Sequence, residues 1–194
     1  MSDDLAQGST VDQAAVRIDG SPPSSLSRLR TLLYEEGGLM RSLLKADGLE
    51  DADGESAGPA QVAASGPRVN GHGAEYELLI EAIYEGYLLP YHAPRVMRSP
   101  EDDLGLLAGD RLYALGLARL VALDDVEAVA ELADVITLTA LAHGSGNTEL
   151  AEAVWAAGAR AVGWGAAPLH DHAKALTRAG SPEALAAMRS LAGG

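Results

Sequence analysis

The sequence predicts an all-α fold, a helical bundle body carrying a flexible amino-terminal arm. The first observation behind this is residues 104–143, the longest region with one unambiguous pattern, which reads as a helical hairpin. The second is residues 149–167, where alanine and glycine dominate and helices can approach closely. The third is a loss of periodicity at 46–73, a segment of Asp, Gly, Ala, Ser and Pro with hardly a large apolar residue. The chain therefore divides into an arm (1–45), a flexible linker (46–73) and a helical body (74–194).

Composition narrows the function classes. A formal charge of −14 argues against nucleic acid, whose phosphates call for basic grooves, and against nonspecific attraction to anionic lipid. The chain has no cysteine, which excludes disulfides, thiolate metal sites and cysteine catalysis. The start, Met1-Ser2-Asp3-Asp4, is acidic and is followed by no apolar core, so no signal peptide is expected. No stretch reaches the roughly 20 strongly apolar residues of a transmembrane helix. The expected address is cytoplasmic, with peripheral membrane contact left open.

Residues 1–24 read as extended or disordered. A helix is predicted after Ser24-Ser25, with Leu26, Leu29 and Leu33 on one face, and Gly37-Gly38 ends it before Leu39, Met40, Leu43 and Leu44 resume the pattern. Helices this short are marginal alone, so their apolar face must dock. Two occupants suit it: the chain's own body, or a groove on a larger partner, which makes these seven residues the candidate partner-docking face.

The body opens with a helix over 74–89, striped by Tyr76, Leu79 or Ile80, Ile83 and Tyr87 and stopped by Pro90. Glu77, Glu81 and Glu85 lie four apart, a spacing that reads as a solvated acidic face; the Glu-x-x-His pairs of di-iron bundles do not occur. Ser99-Pro100-Glu101-Asp102 then offers a cap, a proline suited to the first turn and carboxylates for the helix dipole. From Leu104 to Leu123 apolar residues fall on almost every face, which predicts an enclosed central helix. Asp110 is its odd member, and pairing with Arg111 or a neighbouring helix is the simpler reading than catalysis. Asp124-Asp125 opens a covering helix with Val126, Val129, Ala133, Ile136 and Ala140 on one side and Glu127, Glu131 and Asp134 on the other.

The segment Leu106-Leu107-Ala108-Gly109-Asp110-Arg111-Leu112-Tyr113-Ala114 resembles the middle of the all-α trans-polyprenyl diphosphate synthases, most of all the non-catalytic small subunit of their heterodimeric members. Gly109, Asp110 and Leu112 match the family's Gly-Asp-(Tyr/Phe)-Leu segment, with Arg111 where an aromatic is usual. The resemblance covers residues 104–143. Catalytic members bind Mg2+ and diphosphate through two Asp-Asp-x-x-Asp clusters, and neither is present, so no catalytic, cofactor or metal residue carries over.

Beyond the hairpin, Asn147 or Thr148 is expected to cap a helix over 149–167, whose small residues suit a bundle or oligomer core and whose large anchors are Trp155 and Trp164. His170-Asp171-His172 is the one site-like cluster, but neighbours in a helix point apart, a third metal ligand is missing, and Asp171 suits a helix amino end. Ser181-Pro182-Glu183 begins a last short helix.

No phosphate loop and no nucleophile elbow occurs. The expected function is a non-catalytic accessory subunit that forms homo-oligomers and docks a larger enzyme through its arm. Leu107, Leu112, Tyr113, Ile136, Trp155 and Trp164 are the candidates for an apolar chamber or oligomer interface. If the synthase resemblance holds, such a chamber would suit a long isoprenoid chain, either a prenyl diphosphate on a catalytic partner or the tail of menaquinone. The arm–tether–body layout also resembles the stalk subunits of actinobacterial uptake hydrogenases, on layout alone, so the partner is either a prenyl synthase or a respiratory oxidoreductase. A ligand-free helical interaction module is the third alternative.

Overall fold

The computed structural model describes residues 23–46, 57–98 and 102–193, and over these the chain is all-α. The expectations for residues 1–22, for 47–56 and for the cap at 99–101 lie outside the described residues. The helices are α1 (Ser25–Glu36), α2 (Gly38–Ser42), α3 (Pro59–Ala64), α4 (Gly73–Tyr91), α5 (Asp102–Ala122), α6 (Val126–Gly144), α7 (Thr148–Trp164), α8 (His170–Arg178) and α9 (Ala184–Ala192), with a 3-10 turn at Pro67–Val69. Local signals set several boundaries. Ser24, Asp125 and Asn147 each accept a backbone N–H from three residues onward, capping α1, α6 and α7, and Pro59 stands in the first turn of α3. Pro90 does not stop α4 at once; it occupies the last turn, and the helix ends at Tyr91.

The central helix is α4, not the hairpin partner α5. From Leu78 to Leu89 only Tyr84 is less than buried, and two apolar cores form on opposite sides of the helix. The larger core joins Leu79, Ile80, Ile83 and Tyr87 to α3, α6, α7 and α9. The smaller joins Leu78, Ala82 and Leu89 to α1, α2 and α5. Helix α5 packs chiefly on α4 and only lightly on α6, so its apolar residues on the far side stay exposed. The reason is position: α5 lies at the edge of the bundle, and no further described helix covers it.

The arm is part of this fold. Leu29, Leu33, Met40 and Leu43 are buried, with Leu26 and Leu44 packed partly against the same cluster. Only Leu39 of the seven is exposed. Partner docking through this face is therefore corrected: each buried leucine gains about 1.5–3 kcal/mol against the chain's own α4 and α5. A one-residue bridge between Leu44 and Met97, and hydrogen bonds from Lys45 N–H to the Val96 carbonyl and from Arg98 N–H to the Leu43 carbonyl, stitch the end of the arm to the body.

The linker needs correcting as well. Residues 57–69 form α3 and the 3-10 turn, with Ala60, Ala63 and Val69 buried in the larger core. Small residues give this segment its contact. A Cβ added to Gly163 of α7 would lie 2.5 Å from the Ala63 carbonyl oxygen, so the two backbones touch directly.

Candidate functional site

The spacing of Tyr84, Tyr87 and Tyr91 places three phenol rings along one side of α4, and the site grows from there. Tyr84 and Tyr87 stack with centroids 5.6 Å apart, and Trp155 of α7 meets the Tyr84 ring edge-on at 4.9 Å. The Tyr87 hydroxyl lies 3.0 Å from Nε2 of both His92, just after α4, and His143, in the last turn of α6. Tyr91 stacks flat on the His143 ring at 3.9 Å. Beside this cluster a cavity of about 340 Å³ opens between α3, α4 and α7, lined by Val62, Tyr87, His92, Glu152, Trp155 and Ala156 among others.

The electrostatics disfavour charge on three members of the cluster. Burial pushes the Tyr87 and Tyr84 hydroxyls up, so both stay protonated at neutral pH. Burial, and then the neighbouring His92, hold the His143 imidazole below its ordinary value of 6.5, which keeps it neutral. The Trp155 indole N–H is buried without a hydrogen-bond partner among the described residues, an open donor on a residue of the cavity wall. Among the described residues no lysine or arginine lines the cavity, and Glu152 does.

A second depression, near the 3-10 turn, is wider and polar. Its groups satisfy one another: the Tyr76 hydroxyl donates to Asp125 at 2.6 Å, Arg68 reaches Glu127 at 2.7 Å, and Asp125 caps the Ala128 N–H. Burial, and then the bond to Asp125, push the Tyr76 hydroxyl up to about 12. This set of contacts clamps the start of α6 to α4.

Two ionic clusters lie inside the protein, and the first corrects the expectation of a solvated acidic face at Glu81 and Glu85. Glu81 and Glu85 are buried, not solvated. Glu85 accepts the backbone N–H groups of Arg95, Val96 and Met97, while Glu81 pairs with the Arg95 guanidinium and the Ser25 hydroxyl. Burial raises Glu81 above its ordinary value, with Arg95 pulling the other way. On the far side of the bundle, Glu131 is buried between His170, 2.7 Å away, and Lys174, which also bonds Asp134. His170 turns inward to Glu131 while Asp171 and His172 are exposed, so the His-Asp-His cluster diverges. No group of three His, Asp or Glu side chains suited to a metal ion occurs among the described residues.

The residues expected to form one chamber are dispersed. Trp155 is buried and lines the cavity, with Tyr113 and Ile136 packed partly against the same core. Leu112 belongs to the smaller core across α4. Leu107 is 59% exposed and Trp164 38% exposed, both outside any chamber, because each falls on the solvent side of its helix. Asp110 is exposed rather than set among leucines, and Arg111 pairs with Glu36 of α1. Sequence reasoning missed Tyr84, His92 and His143 as a unit; the signal was the tyrosine spacing on α4, without any mark of the distant histidine. No helix among the described residues is long and apolar enough to cross a membrane. No family model, curated protein or solved structure matches the chain.

Proposed function

We propose that the protein is a non-catalytic accessory subunit that holds a flat, neutral, ring-bearing isoprenoid ligand, a menaquinone, in the cavity beside Tyr87. The observation supporting this reading is the wall itself: stacked rings of Tyr84, Tyr87 and Trp155 with an unpartnered buried indole N–H and the imidazole of His92. A quinone ring stacks on such faces, and its carbonyl oxygens accept from such donors. The same wall argues against a prenyl diphosphate, whose charge calls for lysine, arginine or a metal, whereas here Glu152 would repel it. A respiratory oxidoreductase is accordingly the better-supported partner than a prenyl synthase. A ligand-free interaction module draws support from a different observation, the exposed apolar side of α5.

The test uses intrinsic fluorescence. The chain has two tryptophans, so Trp164→Phe leaves Trp155 as the sole reporter. Short-tailed menaquinone should quench it saturably, Ala156→Leu should weaken that binding at least about tenfold by filling the cavity, and geranyl diphosphate should compete poorly. Linear, unsaturable quenching that Ala156→Leu leaves unchanged would remove the ligand from the reading and leave the interaction module.

A further inference from the structure

The outer side of α5 carries an exposed seam with coiled-coil spacing. Leu104, Leu107, Arg111, Ala114, Ala118 and Val121 alternate three and four residues apart, and all six are exposed. Leu104, Leu107 and Val121 are 41%, 59% and 59% exposed, so large apolar side chains stand uncovered at both ends of the seam, with Arg111, Ala114 and Ala118 between them. The opposite side of the same helix is already committed to α4 through Gly109, Leu112 and Gly116. Helix α5 is 21 residues long, about 30 Å, enough for a paired helix to lie along it.

The order of residues in the seam selects its occupant. Read from either end, the pattern matches its own reverse: in an antiparallel pair with the two-fold axis between Leu112 and Tyr113, Leu104 faces Val121 of the second copy, Leu107 faces Ala118, and Arg111 faces Ala114. Each bulky side chain meets a smaller one, the condition for interdigitation at close distance. The single charge in the seam fits this register too. Arg111 carries Glu36 as a counter-ion within its own chain and extends over a methyl group opposite. It also comes within one helical turn, about 6 Å along the axis, of the exposed Asp110 of the second copy, which gives two symmetric attractions. A parallel in-register pair would instead set Leu on Leu and Arg111 on Arg111. A membrane surface is a poor occupant for a face flanked by Asp103 and Asp110 on a chain of charge −14.

We infer that α5 is a self-association helix, pairing antiparallel with α5 of a second copy about a two-fold axis between Leu112 and Tyr113. This goes beyond the ligand reading and stands without it.

Because the chain has no cysteine, the register is directly testable in the full-length protein. Leu107→Cys and Ala118→Cys, prepared separately, mixed and mildly oxidised, should give the 107–118 heterodisulfide in at least about tenfold excess over either homodisulfide, since like positions lie about 16 Å apart along the pair and a disulfide needs Cα atoms within about 7 Å. Leu107→Glu should convert the dimer seen by sedimentation equilibrium into a monomer with unchanged helicity, its exposed position leaving the fold undisturbed. Predominant homodisulfides would overturn the antiparallel register. A monomeric parent protein, or a dimer indifferent to Leu107→Glu, would overturn the proposal.

Discussion

Gly86 and Gly109 meet backbone to backbone where α4 crosses α5. A Cβ on Gly86 would lie 3.0 Å from the Gly109 carbonyl oxygen, and a Cβ on Gly109 would lie 3.1 Å from the Gly86 carbonyl oxygen. Two turns further along α5, a Cβ on Gly116 would lie 2.4 Å from Ile83 Cγ1 and 2.9 Å from the Leu79 carbonyl oxygen. The glycine of the Gly-Asp segment therefore has a packing role in this chain, letting α5 seat on the central helix. Gly116→Ala should destabilise by about 1–3 kcal/mol through overpacking, and Gly109→Ala by less. Urea midpoints check this, and an unchanged midpoint for Gly116→Ala would show that the crossing can widen freely.

Glu85 organises the turn after α4 as an internal anion. Its Oε1 accepts from Val96 N–H at 2.7 Å and Met97 N–H at 2.9 Å. Glu85→Ala strands these buried donors, and a loss of about 3 kcal/mol is expected from the bonds to a charged acceptor. Amide exchange at Val96 and Met97 should accelerate more than at the helix amides of α7. Equal acceleration throughout would mean global destabilisation without a local role.

Lys174 sits between Glu131 and Asp134 near the larger core. Lys174→Met leaves Glu131 a buried charge with only His170 beside it, at a cost of about 3–5 kcal/mol. Adding Glu131→Leu should restore much of that loss. A double-mutant cycle in denaturant is the measurement, and strict additivity would argue against coupling.

Stability should form a plateau across neutral pH. At Asp134 burial raises the carboxyl, but bonds from Lys174 and Arg178 outweigh it and hold it below its ordinary 3.8; at Asp125 Tyr76, Ala128 and Arg68 do the same. The folded state thus binds fewer protons there, so this contribution is full above 3.8 and is lost as pH falls through the lowered folded values. Lys174 behaves conversely: its carboxylate bonds outweigh burial and raise it above 10.5, so its contribution is full below that value and is lost as pH rises through the raised one. His143 adds a gentler slope, with stability rising with pH from its lowered folded value up to 6.5. Thermal midpoints across pH test this, and Asp134→Asn should flatten the acid limb.

Much of the helical layout was readable because caps and periodicity are local. Asp125 and Asn147 mark the starts of α6 and α7 within one residue of the sequence expectation. What lay beyond reading depended on partners far along the chain. Glutamates four apart look the same whether they face water or a buried arginine, and Arg95 lies in a segment without periodicity. The leucine face of the arm carries one pattern for docking on self and on another protein, and the fold decides for self. Residues 57–69 read as linker because large apolar side chains are scarce there, yet Ala60 and Ala63 are buried in the core and Ala63 meets Gly163 backbone to backbone. The cavity draws on α3, α4 and α7, so no local stretch could announce it.

The Tyr87 hydroxyl has one proton and two imidazole neighbours, each 3.0 Å away. While both rings are neutral, the phenol can donate to only one of them, and the other must donate its own Nε2–H to the phenol oxygen. The two histidines therefore hold opposite tautomers. Exchanging their roles takes more than rotating the hydroxyl, because each imidazole must also move its proton between Nε2 and Nδ1; the direction of the phenol O–H is therefore tied to the tautomers of both rings. A group that bonds His92 from the cavity side therefore bears also on the tautomer of His143, whose ring centroid lies 5.5 Å away.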